Sequence, residues 1–336
     1  MIKYLGSKRL LLPSILEAMG DLCPAGQILD LFSGTSRVGQ AFKQAGYAVT
    51  ANDYNRYAET VARCYVEADL EDHGEELAEQ IQELQQSEPV DGWFTETYCR
   101  QSRFFQEQNG ARIEGIRERL ETMELTPERK AILLVALMEA ADRVDSTTGV
   151  QMAYLKQWAP RASNDLELRV PELCPRAVSG KGAAWCLEAQ EAAVRFDGDA
   201  VYLDPPYNQH SYLGNYHIWE TLVRWDRPEV YGIACKRVEC RERRSAFNSK
   251  PAFADALAEL LQALDGHPML VSFSDEGYLE RERLEGLLAA HGKVEVREQE
   301  HPRYVGARIG IHDREGRKVG KVSHLRNREY LFLVRP

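Results

Sequence analysis

Gln27-Ile28-Leu29-Asp30-Leu31-Phe32 is followed at once by Ser33-Gly34-Thr35-Ser36-Arg37-Val38-Gly39, so an apolar run passes directly into small residues. The apolar run is typical of a buried parallel strand, and the small residues predict a turn into a helix that continues to about Ala45. Tyr47-Ala48-Val49-Thr50-Ala51-Asn52 predicts the next strand, which is closed by Asp53. This order of strand, glycine turn, helix, strand and acid predicts a nucleotide-binding unit of an α/β sheet.

Two acidic residues of this unit indicate the kind of ligand. Asp53 follows the turn by about 20 residues, a spacing at which a carboxylate can accept hydrogen bonds from ribose hydroxyls. Asp30 lies at the tip of the first strand, where it favours a cationic group, such as the amino group of S-adenosylmethionine, over a pyrophosphate. A nicotinamide dehydrogenase would also satisfy the glycine turn, and a tight turn without a ligand is the structural alternative.

A second motif, Asp204-Pro205-Pro206-Tyr207, follows the apolar strand Val201-Tyr202-Leu203. The 6-amino nitrogen of adenine shares its lone pair with the ring, so it attacks only when acceptors engage its N–H bonds. The Asp204 carboxylate and the Pro205 carbonyl oxygen can be those acceptors, and Pro206 restricts the backbone that aims this carbonyl. Tyr207 offers a flat face for an extruded base, which is worth about 1–3 kcal/mol. The alternative is a rigid turn with a surface tyrosine.

The start of the chain, Lys3-Tyr4-Leu5-Gly6-Ser7-Lys8-Arg9-Leu10, supplies a third motif. Its Gly-Ser turn predicts a helix that runs to about Met19, with Lys8 in the first turn. We expect Lys8 to be exposed and able to pair with a ligand carboxylate beside the amides of the helix N-terminus. Taken alone, Lys8 would be an ordinary surface lysine.

In this order, the three motifs resemble the adenine-specific DNA methyltransferases of the alpha group, the family of the Dam methylases and the FokI modification enzyme. Tyr216-His217 with Trp219-Glu220-Thr221, then Ser272-Phe273-Ser274-Asp275, and finally Asn327-Arg328-Glu329-Tyr330 extend the resemblance. It implies an α/β class I S-adenosylmethionine-dependent methyltransferase fold, which is Rossmann-like and has a mostly parallel seven-stranded sheet with an antiparallel edge. Residues 1–60 and 182–336 would form the catalytic domain, and residues 61–181 an inserted, mainly helical target-recognition lobe.

The resemblance also implies the roles of individual residues. S-adenosylmethionine would be the cofactor, S-adenosylhomocysteine the product, and no metal would be needed. Asp204, Pro205, Pro206 and Tyr207 would act on a flipped adenine in a direct in-line transfer. Residues that resemble the family's cofactor contacts are Tyr4, Ser7 and Lys8 at the methionine part, Asp30, Phe32, Ser33, Gly34 and Thr35 at the middle, Asp53 at the ribose, and Glu188 with Ala189 at the adenine. Ser36 departs from the pattern, because the family commonly has a second glycine there.

The segment between these motifs breaks the strand–helix alternation and contains helix signals. Thr126-Pro127-Glu128 predicts a capped helix start with proline at the first position. Asn109-Gly110 predicts a turn ahead of another helix, over about residues 111–123. In residues 147–162, Tyr154, Lys156 and Arg161 are candidates for contact with bases and phosphates, and an ordinary helix with a core tyrosine is the alternative.

The charge of the chain is negative overall, at −10, but unevenly distributed. Residues 67–91 contain ten acids and no lysine or arginine, whereas residues 301–336 contain nine basic residues and three acids. The basic stretches predict contact with a DNA backbone, and residues 303–311 and 317–322 predict a basic hairpin. The candidate contacts outside the lobe are Asn208, Lys236, Arg237, Arg241, Arg303 and Arg326.

Several expectations about partners and location complete the prediction. The partner is double-stranded DNA, and a cognate restriction endonuclease is a further candidate. No apolar run approaches the roughly 20 residues of a membrane span, and seven scattered cysteines without a Cys-x-x-Cys pair favour reduced thiols in the cytoplasm. Two alternatives to adenine methylation stay open: methylation of the cytosine 4-amino group, and a catalytically silent DNA-binding subunit.

Overall fold

A mostly parallel sheet organises the molecule. The structure, a computed structural model, describes residues 2–74, 76–209, 211–302 and 326–336. The strands of this part are β1 (Gln27–Asp30), β2 (Ala48–Asn52), β3 (Ala183–Trp185), β4 (Ala200–Leu203), β5 (Val230–Tyr231), β6 (Lys236–Arg237), β7 (Met269–Ser274), β8 (Lys293–Pro302) and β9 (Arg326–Arg335). Seven of them form one sheet in the order β3-β2-β1-β4-β7-β9-β8, and β5 and β6 form a separate antiparallel ribbon.

The strand directions confirm the predicted sheet. Strands β3, β2, β1, β4 and β7 run parallel to one another, whereas β9 runs antiparallel between β7 and β8. The chain order of the strands reverses between β1 and β4. In open α/β sheets, ligands bind outside the carboxyl ends of the strands at such a reversal.

Helices cover both faces of the sheet. The α-helices are α1 (Leu12–Leu22), α2 (Arg37–Gln44), α3 (Arg56–Ala62), α4 (Glu76–Gln85), α5 (Trp93–Thr95), α6 (Glu107–Glu121), α7 (Pro127–Val144), α8 (Ala189–Arg195), α9 (Tyr212–Asn215), α10 (His217–Arg224), α11 (Glu239–Glu242), α12 (Phe253–Ala263) and α13 (Arg281–Leu288). Short 3₁₀ turns occupy Lys8–Leu10, Leu70–Asp72, Pro160–Ser163 and Ala246–Asn248, and π-helical turns occupy Arg63–Glu67 and Glu96–Gln101. In the described part of the chain, no helix is both long and apolar enough to cross a membrane.

Alternation along the strands separates two cores. Ile28 of β1 and Tyr202 of β4 lie in the core that contains α1 and α2 residues, whereas Leu29 and Leu203 lie in the core that contains α8 and α12 residues. Successive side chains of a strand point to opposite faces, so a strand that is covered on both sides must be apolar throughout. This requirement explains the continuous apolar runs by which the sequence predicts β1 and β4.

A third core lies among the helices between β2 and β3. It combines residues of α6 and α7 with Tyr57 of α3 and Trp219 of α10. Pro127 is the first residue of α7, and the Thr126 hydroxyl accepts a hydrogen bond from the amide of Arg129, which confirms the predicted helix start. The segment is mainly helical, as expected. Its role as a separate recognition lobe stays a prediction, because its core continues into α3 and α10.

One predicted turn is wrong. Asn109 and Gly110 lie inside α6, which begins at Glu107, rather than ahead of it. The Asn109 side-chain amide donates to the carbonyl oxygens of Ala162 and Asn164, and a Cβ atom at residue 110 would lie 2.2 Å from the Cys99 sulfur. These residues therefore fit close packing of the helix, which the Asn-Gly pair alone does not distinguish from a turn.

Candidate active site

A single cleft at the carboxyl edge of the sheet brings the three sequence motifs together. It lies where β1 and β4 end side by side, with Asp30 as the last residue of β1 and Asp204 immediately after β4. Of the predicted site residues, the cleft is lined by Tyr4, Ser7, Lys8, Asp30, Phe32, Ser33, Gly34, Thr35, Asp53, Glu188, Ala189, Asp204 and Pro206. Residues distant in sequence thus form one site.

Asp30 is a buried carboxylate that lacks a hydrogen-bond partner on one oxygen. Its side chain is 1% exposed, and neither its Oδ2 atom nor the Ser33 hydroxyl has a hydrogen-bond partner among the described residues. Burial raises the pKa of Asp30 to about 8, and the Asp204 carboxylate nearby adds to the rise. Buried polar atoms are usually paired, so these two oxygens fit a cationic or hydrogen-bonding ligand.

Asp53 closes the glycine turn from the end of β2. Its Oδ2 atom accepts a hydrogen bond from the Gly34 amide at 3.1 Å, and its Oδ1 atom accepts one from the Asn55 amide at 2.9 Å. Burial raises the pKa of Asp53, and these hydrogen bonds oppose the rise. Gly34 has a φ of +52°, and a Cβ atom there would lie 3.0 Å from the Tyr4 ring. Both conditions explain glycine at this position.

The first residues of the chain are built into the cleft by aromatic contacts. The Tyr4 ring stacks on Tyr212 and Tyr216, with centroid distances of 5.3 Å and 4.6 Å. The Leu5 amide donates to the Tyr216 hydroxyl at 2.6 Å. Tyr212 and Tyr216 begin and follow α9, just beyond the catalytic motif, so the start of the chain is fixed against the segment that follows Asp204.

Lys8 differs from its prediction in one respect. It is 6% exposed rather than exposed, and its Nζ atom lies 3.2 Å from Asp204 Oδ1 and 3.1 Å from Glu329 Oε2. Burial lowers the pKa of Lys8, but the neighbouring acidic groups outweigh this effect and leave the pKa well above its ordinary value. The ammonium therefore pairs with two protein carboxylates. A contact of Lys8 with the cofactor stays a prediction.

The predicted catalytic corner, Asp204-Pro205-Pro206-Tyr207, is held by contacts on several sides. Burial raises the pKa of Asp204 to about 6, and the Lys8 ammonium limits the rise. The Tyr207 ring packs on Phe273 at a centroid distance of 5.2 Å, and its carbonyl oxygen accepts a hydrogen bond from the Tyr278 amide. The carbonyl oxygen of Asn208 accepts one from the Asn248 side-chain amide at 2.8 Å. These contacts fix the backbone that follows β4, beside an acid whose pKa is raised to about 6.

Among the lining residues that sequence reasoning missed are Tyr54, Arg243 and Phe247. The Arg243 guanidinium lies 3.4 Å from the centroid of the Tyr54 ring and donates to the Tyr54 carbonyl oxygen. Phe247 meets Phe32 edge to face at 5.2 Å. The signal for Tyr54 was its place next to Asp53. Arg243 lies two residues after Arg241, which the sequence predicts to contact DNA.

The segment with the predicted lobe contacts lies beside the catalytic corner. Residues 145–159 contain neither helix nor strand, so the alternative of an ordinary helix is wrong. Gln151 fixes the segment: its amide donates to the Asn215 carbonyl oxygen at 2.7 Å, and its Oε1 atom accepts from the Ile218 amide at 2.8 Å. The His217 Nε2 atom lies 3.0 Å from the Gln151 carbonyl oxygen. This anchors the segment to α9 and α10.

The three candidates have different surroundings: Tyr154 and Lys156 lie on this segment, and Arg161 lies in the 3₁₀ turn that follows it. Tyr154 is half-buried and meets Phe104 edge to face, whereas Lys156 is exposed. The Arg161 guanidinium is half-buried and lies 2.5 Å from the Asp145 carboxylate. An arginine already paired in this way would have to exchange its carboxylate for a phosphate in order to bind DNA.

Arg237 contradicts its predicted role as a phosphate contact. It is 1% exposed, and its guanidinium pairs with both carboxylate oxygens of Asp226 and with Glu239. Arg237 is paired with two carboxylates and connects the β5–β6 ribbon to the residues that follow α10. It is therefore not available to a duplex. The prediction that Arg237 contacts a phosphate is therefore wrong.

The other basic candidates differ from Arg237. Arg241 is exposed and lies 3.7 Å from the centroid of the Tyr231 ring, and Lys236 and Asn208 are half-buried. Arg326 begins β9, but its side chain, like Arg303 and the predicted hairpin, lies outside the described residues. Their contact with DNA stays a prediction.

The sheet order, the cleft at the reversal of strand order and the acids at the tips of β1, β2 and β4 define a class I methyltransferase fold. The family model of the D12 class N6 adenine-specific DNA methyltransferases matches residues 4–262, and the chain belongs to that family.

Curated relatives agree with this family. The chain is 31% identical over 314 residues to Type II methyltransferase M.FokI of Planomicrobium okeanokoites, and the aligned region covers 88% of the chain and 48% of the relative. It is 28% identical over 322 residues to Modification methylase StsI of Streptococcus sanguinis, covering 90% and 49%. To Type II methyltransferase M.NlaIII of Neisseria lactamica it is 29% identical over 287 residues, covering 82% and 83%. The chain thus spans about half the length of the first two relatives.

Proposed function

We propose that the chain transfers a methyl group from S-adenosylmethionine to the 6-amino group of adenine in a specific double-stranded DNA sequence. One observation carries this proposal: Asp204 and Pro206, from the motif that leaves β4, line the same cleft as the buried carboxylate of Asp30 on β1. Family membership supports the same activity. The biological setting would be restriction-modification or an orphan DNA-marking system in the cytoplasm.

The β1–β2 side of the cleft suits the cofactor. S-adenosylmethionine, when bound, supplies a methyl group on a positively charged sulfur. The unpaired Oδ2 atom of Asp30 would accept a hydrogen bond from its amino group, and Asp53 would take the ribose hydroxyls. Glu188 and Ala189 line the same cleft at the start of α8, where they would face the adenine of the cofactor.

The β4 side of the cleft suits the target base. Asp204 would accept a hydrogen bond from one N–H of the adenine amino group, and the Pro205 carbonyl oxygen would accept the other. These fixed acceptors favour the tetrahedral, attacking form of the nitrogen, and fixed dipoles of this kind supply much of enzymatic rate enhancement. Tyr207 would stack on the base, which has to leave the duplex to reach the cleft.

Duplex DNA would approach along the surface that carries residues 145–159. Gln151 anchors this segment to α9, next to the catalytic corner, and Tyr154, Lys156 and Arg161 would contact bases or phosphates from it. Residues 61–181 would serve as the target-recognition lobe. Arg303 and Arg326 would add phosphate contacts, and a cognate restriction endonuclease would be a partner in the cell.

Labelled methyl transfer to DNA, followed by digestion to nucleosides, tests the proposal. We expect the label in N6-methyladenosine. Asp204→Ala should abolish transfer and leave the affinity for S-adenosylhomocysteine within a few-fold, because Asp204 acts on the base. Label in 4-methylcytosine would identify the other amino substrate. Bound cofactor and DNA without transfer would identify a silent DNA-binding subunit.

A further inference from the structure

We infer that Glu329 is a positioning residue that holds Lys8 against Asp204, so that one Asp204 oxygen is occupied by the ammonium and the other faces the substrate amine. The inference rests on the proposed function, because it assigns a role to a residue that acts through the catalytic acid. Glu329 lies on β9, far in sequence from both of its partners.

The geometry of this triad is that of a bridge. Lys8 Nζ lies 3.2 Å from Asp204 Oδ1 and 3.1 Å from Glu329 Oε2, and the three side chains are 6%, 20% and 10% exposed. Lys8 comes from the 3₁₀ turn at the start of the chain, Asp204 from the end of β4, and Glu329 from the β9 position paired with Ser274 of β7. Three separate elements therefore converge on one ammonium.

An ammonium donates three hydrogen bonds and swings on a flexible stem, so a single carboxylate partner leaves its direction open. A second carboxylate on another strand fixes that direction. The Asp204 oxygen that Lys8 does not occupy then has a defined position. Such fixation matters because catalytic geometry must hold within about 0.5 Å.

The net charge of Lys8, Asp204 and Glu329 also supports a role for Glu329 in the site. Two carboxylates and one ammonium leave one net negative charge in a site that is largely shielded from water. The other titratable groups that face Asp204 are Asp30, Tyr202, Tyr207 and Tyr212. The ion pair with Asp204 alone would neutralise the Lys8 ammonium, so the second carboxylate, that of Glu329, is not needed for the burial of Lys8. An excess negative charge suits a site that receives a cation and develops positive charge on an amine.

The pH dependence of single-turnover methyl transfer tests this role. The negative charge of Glu329 raises the pKa of Asp204. Glu329→Gln keeps the size of the side chain and removes this charge, so the pKa of Asp204 should fall. We expect the acidic limb of the rate profile to move to lower pH and the plateau rate to fall at least tenfold. Lys8→Met should move the same limb to higher pH, because it removes the cation that favours the ionised acid. Glu298→Gln on β8, a matched carboxylate outside the triad, should leave the limb in place.

Opposite shifts distinguish a positioning role from general damage, which would lower the rate without moving the limb in two directions. An unmoved limb in Glu329→Gln, or a move to higher pH, would overturn the inference. So would a Lys8→Met protein that loses only cofactor affinity, since Lys8 would then be a cofactor ligand.

A measurement without turnover separates this inference from the proposed function. In protein carrying ¹³C-labelled aspartate, the carboxyl signal that disappears in Asp204→Asn reports the titration of Asp204 directly. The Glu329→Gln and Lys8→Met variants should shift that titration in opposite directions even in a chain that transfers no methyl group to DNA. Identical titrations would reject the triad, whatever the activity.

Discussion

Ser36→Gly should stabilise the protein. Ser36 sits in the glycine turn with φ +55° and ψ +24°, is fully buried, and has a hydroxyl without a hydrogen-bond partner among the described residues. A left-handed backbone costs a non-glycine residue about 1–2 kcal/mol. An unsatisfied buried hydroxyl costs about 1–3 kcal/mol. Glycine adds about 0.5–1 kcal/mol of conformational entropy to the unfolded chain, which opposes these gains. We expect a net increase of at least about 1 kcal/mol in the free energy of unfolding.

Urea denaturation of wild-type, Ser36→Gly and Ser36→Ala proteins measures this gain. Alanine removes the same hydroxyl but keeps the left-handed strain, so its gain should be smaller by about 1 kcal/mol. The difference between the two variants isolates the backbone contribution. If Ser36→Gly is no more stable than Ser36→Ala, the strain at this turn does not exist and the reasoning fails. Binding of S-adenosylhomocysteine to the same three proteins shows whether serine also weakens the cofactor site.

Three further predictions concern charge, packing and stacking. The pKa of Asp30 in the folded protein is raised to about 8, so binding of a proton to Asp30 stabilises the folded state. This contribution is fully present below the ordinary pKa of aspartate and is lost as pH rises through 8. The melting temperature of the ligand-free protein should therefore fall across this window, and Asp30→Asn should reduce that slope; equal slopes would contradict this. Gly115→Ala should destabilise by about 1–3 kcal/mol, because its Cβ atom would lie 2.0 Å from the Glu88 carbonyl oxygen. Gly20→Ala, which meets nothing within 4 Å, should stabilise by about 0.5–1 kcal/mol in the same denaturation assay. Tyr207→Ala should lose the fluorescence change of 2-aminopurine at the target while duplex affinity persists, and an unchanged signal would refute the stacking role.

The sequence predicted the sheet and the cleft because their signals are local. Apolar runs mark β1 and β4, and each run ends in the acid that the cleft uses. The surroundings of charged side chains could not be predicted, because they depend on partners that are distant in the chain. Lys8 is buried between Asp204 and Glu329, which come from two different strand regions of the chain. Arg237 is buried because a turn returns the chain to Asp226. A basic residue in isolation therefore suggests a surface contact in either case.

The placement of Asp30 and Asp204 connects the stability of the protein with its chemistry. Strands β1 and β4 are neighbours, and Asp30 is paired to Tyr202, so Asp204 lies two residues beyond the partner of Asp30 at the same edge of the sheet. Together with Glu329 they give three acids and one lysine in one largely buried region. Burial, and after it the charge of Asp204, raises the pKa of Asp30, because protonation removes a negative charge that is costly in this environment. A ligand with positive charge would reverse this protonation, since it stabilises the ionised carboxylate. Cofactor affinity and the stability of the free protein should therefore change in opposite directions when Asp30 is replaced by asparagine.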